Sequence, residues 1–425
     1  MTETLHLISR IIFITLTILY LPQLFYVIFG LFIKPKKYKK ADQFHHFGII
    51  ICAHNEENVI ADILDSIEKQ DYPKDKITTF VVADNCTDKT ENNAKEKAIV
   101  ISRKDEKNKG KSYALDYALN KILKNSEYND IEAFLVFDAD NILTKNYVSK
   151  MNDAFSSGKE CATSFRNSKN YSQNWISATS SIFFLRECAL VHKTRNAFNI
   201  GTYVSGTGFF VSRKIIEQNQ GWKYNTMIED IEFSINEAIK GNKIAYVDEA
   251  EFFDEQPVKF KDMVNQRMRW CKGAHQCNFR YNFKLIKKQV KNKNRLTLFE
   301  LLIHVTPIPA LVFLAWIVFS ILFGIDAFAL KNVSYNEGLI NILKTTYNFI
   351  GIFLLMALLS GFVTLIKTYK RVPNSSIIKQ LLYTFIFPFS AFLFVPISIV
   401  ALFKKVKWKK IPHCSVKQLS TTTKQ

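Results

Sequence analysis

Cysteine is sparse, 7 in 425 residues, and no two stand in a C-x-x-C pair. That leaves little basis for a disulfide framework or a zinc site, and it fits a reduced compartment. The glycine fingerprints of common nucleotide loops are missing as well. Neither G-x-G-x-x-G nor G-x-x-x-x-G-K-[ST] occurs, so a dinucleotide fold and a Walker loop are both unsupported. Internal repeats and long low-complexity tracts are absent too. Acidic residues are outnumbered, 38 against 57 lysines and arginines, giving a net charge of +19. This excess does not indicate nucleic acid as a partner, because the lysines gather beside apolar runs. Such placement suits the cytoplasmic rim of a membrane, with anionic lipids as local partners.

What is abundant is apolar sequence in four long runs, at residues 5–32, 301–323, 349–366 and 381–403. A helix needs about 20 apolar residues to cross a bilayer, and buried helices of a soluble core normally keep a polar face that these runs lack. The first run has no convincing small-residue cleavage site and leads straight into K-P-K-K-Y-K-K at 34–40, so it reads as an uncleaved anchor. Three later crossings would put the C-terminus opposite the domain that follows the anchor. Lys404, Lys405, Lys407, Lys409 and Lys410 favour the same side instead. One run is therefore expected to be re-entrant or interfacial, and Pro307, Pro309, Pro388 and Pro396 mark the second and last runs as suspects.

Between anchor and second run lie roughly 250 residues of soluble patterning, one domain's worth. An apolar strand at 46–53 ends in H-N-E-E (54–57), a second at 79–83 ends at Asp84, and a third at 133–137 ends at Asp138. Helical patterns intervene, to about Gln70 and at 88–97 and 111–123. The alternation predicts an α/β fold, a mostly parallel sheet with helices on both faces. Ligands bind beyond the strand ends of such sheets, which gathers Asn55, Glu56, Asp84, Asp138 and Asp140 at one crevice. Residues 145–195 read as helix and loop. Helices are expected from Glu229-Asp230 through Ala238 and from 258 to about 279.

Several groups could carry chemistry. Asp138-Ala139-Asp140 leaves a strand with two carboxylates at alternate positions, suited to a hard cation such as Mg²⁺ or Mn²⁺. An isolated D-x-D is more often solvated, but Asp84 ends a sister strand. Lys111, in K-G-K at a helix start, could meet a phosphate. Glu229 and Asp230 could cap a helix or supply a general base. In N-Q-R-M-R-W-C-K-G (265–273), Gln266, Arg269 and Trp270 share a helix face while Arg267 points elsewhere. A basic membrane-facing helix would explain the arginines. A site explains the rest, with guanidinium on phosphate, amide on an oxygen and indole under a sugar.

In that order, with G-T-G-F-F (206–210), these motifs closely resemble the processive membrane-integrated family 2 glycosyltransferases, the cellulose, chitin, hyaluronan and poly-N-acetylglucosamine synthases. The likeness runs from about residue 46 to the C-terminus. It implies a GT-A-type domain at 41–278, an amphipathic interface region at 279–300, a transmembrane region at 301–403 and a basic tail at 404–425, behind the anchor at 1–33. It implies inverting transfer from a UDP-sugar to a growing polysaccharide, or to a lipid in a non-processive enzyme, at the plasma membrane with a cytoplasmic catalytic domain. An inactive membrane regulator is the non-enzyme alternative. By the resemblance, Glu56, Asp84, Lys111, Asp138, Gln266, Arg269 and Trp270 hold the donor, and Asp138 and Asp140 the cation. Asp230 is the base, with Glu229 beside it. Gly206, Thr207, Gly208, Phe209 and Trp270 shape the acceptor site, and Trp408 gates it. Accessory exopolysaccharide proteins are possible partners.

Overall fold

The computed structural model describes residues 2–289, 292, 294–407 and 412–413. After the N-terminal helix α1 (Thr2–Phe32), eight strands build one sheet: β1 (Phe47–Ala53), β2 (Ile77–Asp84), β3 (Ile99–Arg103), β4 (Ala133–Asp138), β5 (Ile142–Leu143), β6 (Cys161–Ser168), β7 (Phe209–Ser212) and β8 (Ala245–Asp254). Their order is β3-β2-β1-β4-β7-β6-β8-β5. The first four strands run parallel, as do β6 and β8, while β7 is antiparallel to both its neighbours and β5 to β8. Because β1, β2 and β4 point the same way, His54, Asp84 and Asp138 leave the sheet at one edge.

The β1 run Ile49-Ile50-Ile51 is fully buried, since the central strand is covered on both faces. Ile49 and Ile51 pack toward Ile60, Ile63 and Leu64 of α2 (Ile60–Glu68). Ile50 faces Leu115, Leu119 and Ile122 of α4 (Lys111–Lys124), which follows the short α3 (Thr90–Ala94). Each such side chain stabilises the fold by ~1.5–3 kcal/mol. The domain's other helices are α5 (Tyr147–Ser156), α6 (Trp175–Arg186), α7 (Lys193–Ala197), α8 (Arg213–Gln218), α9 (Glu229–Lys240) and α10 (Phe260–Gln289).

One expectation needs correction. Residues 145–195, expected as helix and loop, contain β6. Its polar sequence hid it, because Ser164, Arg166 and Asn167 are bonded to other elements at a domain junction rather than alternating toward water. The amphipathic interface region expected at 279–300 begins as a continuation of α10, which carries the Q-R-M-R-W stretch through to Gln289, and ends in α11 (Arg295–Val305). Phe279 and Phe283 stand about 80% exposed on its outer face, as an interfacial helix would present them.

Beyond α11 come α12 (Ile308–Gly324), α13 (Tyr335–Thr346), α14 (Ile352–Thr368), α15 (Ile377–Phe392) and α16 (Phe394–Phe403). Among the described residues four helical stretches are long and apolar enough to cross a membrane: Glu3–Phe32, Ile308–Ala329, Tyr335–Thr368 and Ile377–Phe403. The run expected at 301–323 divides at Thr306, where Pro307 and Pro309 start a new helix. Residues Leu301 and Val305 stay with the sheet domain, packed among Tyr26, Tyr281 and Leu298.

The last stretch begins and ends against the sheet domain. Just before it, Arg371 pairs with Asp248 and Glu251, and Ser172 donates to the Asn374 carbonyl. At its far end Lys272 of α10 bonds the Ala401 and Leu402 carbonyls, and His413 lies 3.2 Å from Glu56. The bend falls between α15 and α16, after Pro388. Of the two suspects, the last run is thus the one with both ends on one side. By contrast, the N-terminal half of α1 meets the remote ends of the other spans, His6 at Phe323 and Phe13 at Phe349.

Candidate active site

The strand ends and the N-termini of α4 and α9 surround a cavity of about 820 Å³ that continues toward the membrane helices. Glu56, Asp84, Lys111, Asp138, Asp140, Gly206, Glu229, Asp230, Gln266, Arg269 and Trp270 all line it. Thr207, Gly208 and Phe209 do not.

The loop after β1 is tied to that after β2 by His54 Nδ1 on the Asp84 carbonyl (2.7 Å), and the Glu56 amide donates to Thr90 Oγ1 (2.7 Å). Asp84 itself is clamped by Arg103, whose Nη1 lies 2.5 Å from its carboxylate with both side chains buried. Lys111, at the start of α4, donates to the Asp138 carboxylate and to the Gly206 carbonyl (2.7 Å). Burial works against the Lys111 charge, but Asp138 and its anionic neighbours outweigh it, so the ammonium stays above its usual range. The G-T-G-F-F stretch turns here. Thr207 Oγ1 receives the Asp138 amide (3.0 Å) and bonds Asn141, fixing the D-x-D loop. Gly208, at φ +65°, lies so close to Phe252 that a Cβ would come within 2.0 Å of its ring. Phe209 begins β7 and packs inward on Trp222. These three, expected at the acceptor site, stand behind the cavity wall: Phe209 packs in the core, and Thr207 and Gly208 are enclosed under the loop they support.

Glu229 and Asp230 occupy the first turn of α9. Burial foremost, and then Asp230, pushes the Glu229 carboxyl up to about 7, against the pull of Lys111 and Arg269. Asp230 is also raised by burial, opposed by its bond from the Ile231 amide and by Arg269 and Lys111. Gly206, at φ +80°, leaves the Asp230 carboxylate open on the cavity side. A carboxyl poised near neutrality beside cations can take a proton.

From α10, Gln266, Arg269 and Trp270 reach the cavity on one face as expected. Gln266 Oε1 is buried with no hydrogen-bond partner among the described residues, an acceptor awaiting a ligand donor. Arg269 makes a long, 3.4 Å hydrogen bond to the Met227 carbonyl. Trp270 packs against Phe183, Phe184 and Phe394 in one aromatic cluster. Arg267 points away, buried on the carbonyl and hydroxyl of Ser390 and over the Phe394 ring. It anchors α10 to α15. Cys271 packs with Ile397 and Ala401.

A hard cation fits the D-x-D. Asp140 is buried and accepts from the Glu255 amide (2.9 Å). Burial opposes its charge, yet His413, Lys169, the Glu255 amide and Arg166 hold its carboxyl below the usual range. No cluster of three or more His, Cys, Asp or Glu suited to a metal occurs among the described residues. Two carboxylates would thus need diphosphate oxygens and water to complete a shell, the habit of Mg²⁺ and Mn²⁺. The same pocket holds His413 against Glu56, and the carboxylates overcome burial to raise its imidazole to about 9.

Sequence reasoning missed three contributors: Arg103, Arg166 and His413. Arg166 holds Asp254 (Nε to Oδ2, 2.6 Å) and the Ser205 carbonyl beside the D-x-D. Finding it required β6. The tail was noted for Trp408, which lies outside the described residues, whereas His413 two residues after Ile411 carries the contact.

The model of the family "Glycosyltransferase like family 2" matches residues 45–273. The Bacillus subtilis "Probable glycosyltransferase YdaM" is 28% identical over 282 residues, 60% of this chain and 62% of that protein. The Nostoc "Beta-monoglucosyldiacylglycerol synthase" is 25% identical over 292 residues, 66% of this chain and 60% of that protein. These matches span about three fifths of the relatives' own length. Among solved structures, the Pyrobaculum calidifontis mannosyltransferase PcManGT in complex with GDP-Man and Mn²⁺ is similar with a TM-score of 0.54 at 16% identity, covering 87% of this chain and 100% of that one. That likeness shows the GT-A-type fold.

Proposed function

The chain belongs to glycosyltransferase-like family 2, and from that membership we propose that it transfers a hexose or N-acetylhexosamine from a UDP-sugar, with inversion, to an acceptor at the membrane face. The observation that carries this reading is the single cavity joining Asp84, the D-x-D, Asp230 and the Gln266-Arg269-Trp270 face.

In this reading Asp84, steadied by Arg103, and Glu56 flank the nucleotide. Asp138 and Asp140 would hold Mg²⁺ or Mn²⁺, which when bound supplies positive charge against the leaving diphosphate. Lys111 and Arg269 add fixed positive charge, and Gln266 offers its amide oxygen to a sugar hydroxyl. Asp230 accepts the acceptor's proton, while Glu229, raised toward neutrality, limits the negative charge beside it. Trp270 forms an apolar floor for the acceptor sugar.

The domain faces the cytoplasm. Support comes from the lysines at 34–40 and 404–407, which collect on the catalytic side of the spans. With the last apolar stretch returning to its starting side, only two crossings follow the domain, Ile308–Ala329 and Tyr335–Thr368, which places the C-terminus with it, and the charge conflict disappears. A growing polysaccharide and a membrane lipid are both compatible with this transfer chemistry.

The test is stereochemical. Purified protein in nanodiscs, given α-linked UDP-glucose or UDP-N-acetylglucosamine and Mn²⁺, should yield a β-linked product by NMR. An α-linked product would overturn inversion and the role of Asp230.

A further inference from the structure

Past Q-R-M-R-W, α10 keeps one face turned to the segment that carries the base. Arg269, Gly273, Gln276 and Arg280 follow the helical repeat and share that face, and it lies on residues 225–228, which lead into Glu229 and Asp230. Arg269 Nη1 meets the Met227 carbonyl at 3.4 Å, and Gln276 Oε1 accepts the Met227 amide at 2.9 Å. Between them Gly273 lets helix and turn touch, for a Cβ there would come within 2.9 Å of the Ile228 nitrogen and 2.8 Å of its side chain. Farther along, Arg280 Nη1 (2.6 Å) and the Tyr281 hydroxyl (2.8 Å) donate to Glu232 Oε1, while the Asn225 (2.9 Å) and Thr226 (2.8 Å) amides donate to Oε2. Glu232 is 1% exposed, a buried carboxylate met by donors on both oxygens, and so it ties the turn, α9 and α10 together.

The opposite face of α10 is pinned. Arg267 bonds the carbonyl and hydroxyl of Ser390, His275 Nε2 donates to the Ser398 carbonyl (2.9 Å), and Lys272 donates to the Ala401 carbonyl (3.0 Å). The helix cannot retreat from a change on the turn side without breaking these bonds. A disturbance at the shared face therefore moves the turn, and Asp230 with it.

Resting on the reading of Asp230 as base, we infer that Glu232, Gly273, Gln276 and Arg280 are positioning residues, which set Asp230 at its place opposite the Gln266-Arg269-Trp270 face. None of the four lines the cavity, so they act through the turn and not on the substrates. One helix thereby carries the donor-side groups and fixes where the base stands. Such geometry is exacting, since an error of about 1 Å can lower a rate by about a hundredfold.

The experiment uses the full chain in nanodiscs with diacylglycerol, Mn²⁺ and UDP-glucose or UDP-N-acetylglucosamine. Calorimetric titration with UDP gives the affinity and the number of binding-competent sites, and UDP release gives kcat per such site. Gly273→Ala should lower kcat per site by at least about thirtyfold while UDP affinity stays within about threefold of wild type. The double variant Arg280→Met, Tyr281→Phe, which strips the α10 donors from Glu232, should lower it by about tenfold with the same unchanged affinity. Arg280→Lys keeps a charged donor and should remain within about threefold of wild type. The double variant carries the test where Gly273→Ala does not fold. A kcat per site unchanged in the double variant, a parallel loss of UDP affinity, or an Arg280→Lys as impaired as the double variant overturns the inference alone. Absence of UDP release by the wild type from every UDP-sugar overturns the donor reading and this inference with it.

Discussion

Replacing Asp230 with asparagine removes one charge and almost no volume. Asp230 is buried in the first turn of α9, receives the Ile231 amide, and stands between the fields of Lys111 and Arg269. The amide cannot take the acceptor's proton, and general-base catalysis of this kind contributes about 10²–10⁴ in rate, or ~3–5 kcal/mol of barrier. Donor binding should survive. With Asp230 neutral, the second of the two influences raising Glu229 disappears, so Glu229 ionises more fully and restores negative charge opposite Lys111 and Arg269. The expected result is a kcat lowered by about a thousandfold with UDP affinity within about threefold of wild type. Coupled UDP-release kinetics would read the first, and calorimetric titration with UDP and Mn²⁺ the second. A kcat within about tenfold of wild type, or a loss explained wholly by weaker UDP binding, would refute the assignment.

Activity should rise with pH as Asp230 ionises, and since Arg269 lowers the Asp230 pKa, Arg269→Met should shift that acid limb to higher pH while Arg269→Lys leaves it near wild type. A pH profile of kcat unmoved by Arg269→Met would contradict the placement. Gly208→Ala should destabilise the domain by ~2–4 kcal/mol, from crowding and left-handed strain, because its Cβ would meet Phe252 at 2.0 Å. An unchanged thermal midpoint would count against that packing. His413→Ala removes a cationic side chain held on Glu56 beside Asp140, so it should lower the Mn²⁺ concentration needed for half-maximal binding, measured by electron paramagnetic resonance. A higher requirement would show that His413 assists the cation rather than competing with it.

The first half of the fold was legible because β1, β2 and β4 are parallel strands buried on both faces, which forces continuous Ile, Val and Phe runs, and each ends in a polar turn. β6 gave no such signal. Its side chains are satisfied by Asp254, Glu251 and the Arg371 carbonyl, contacts separated by about eighty to two hundred positions that no local period encodes. Likewise the helix face joining Gln266, Arg269 and Trp270 follows from spacing alone, whereas Asp84's clamp by Arg103 depends on β2 and β3 pairing. The G-T-G-F-F stretch marked the right place, but of the four residues expected there only Gly206 lines the cavity, since Asn141 and Phe252 enclose Thr207 and Gly208 and Phe209 packs on Trp222. In the membrane, composition identified apolar runs without revealing direction. The return of the last run becomes visible through Arg371 at one end and Lys272 at the other.

The most direct test is nucleotide release by the purified chain in nanodiscs, with diacylglycerol present, across UDP- and GDP-sugars, with Mn²⁺ or EDTA. The account predicts UDP release from at least one UDP-sugar, accompanied by glycosylated product. Release should be abolished by EDTA and by the Asp138→Asn, Asp140→Asn double variant. Turnover with GDP-sugars alone, or UDP release indifferent to EDTA and to the double variant, would contradict it.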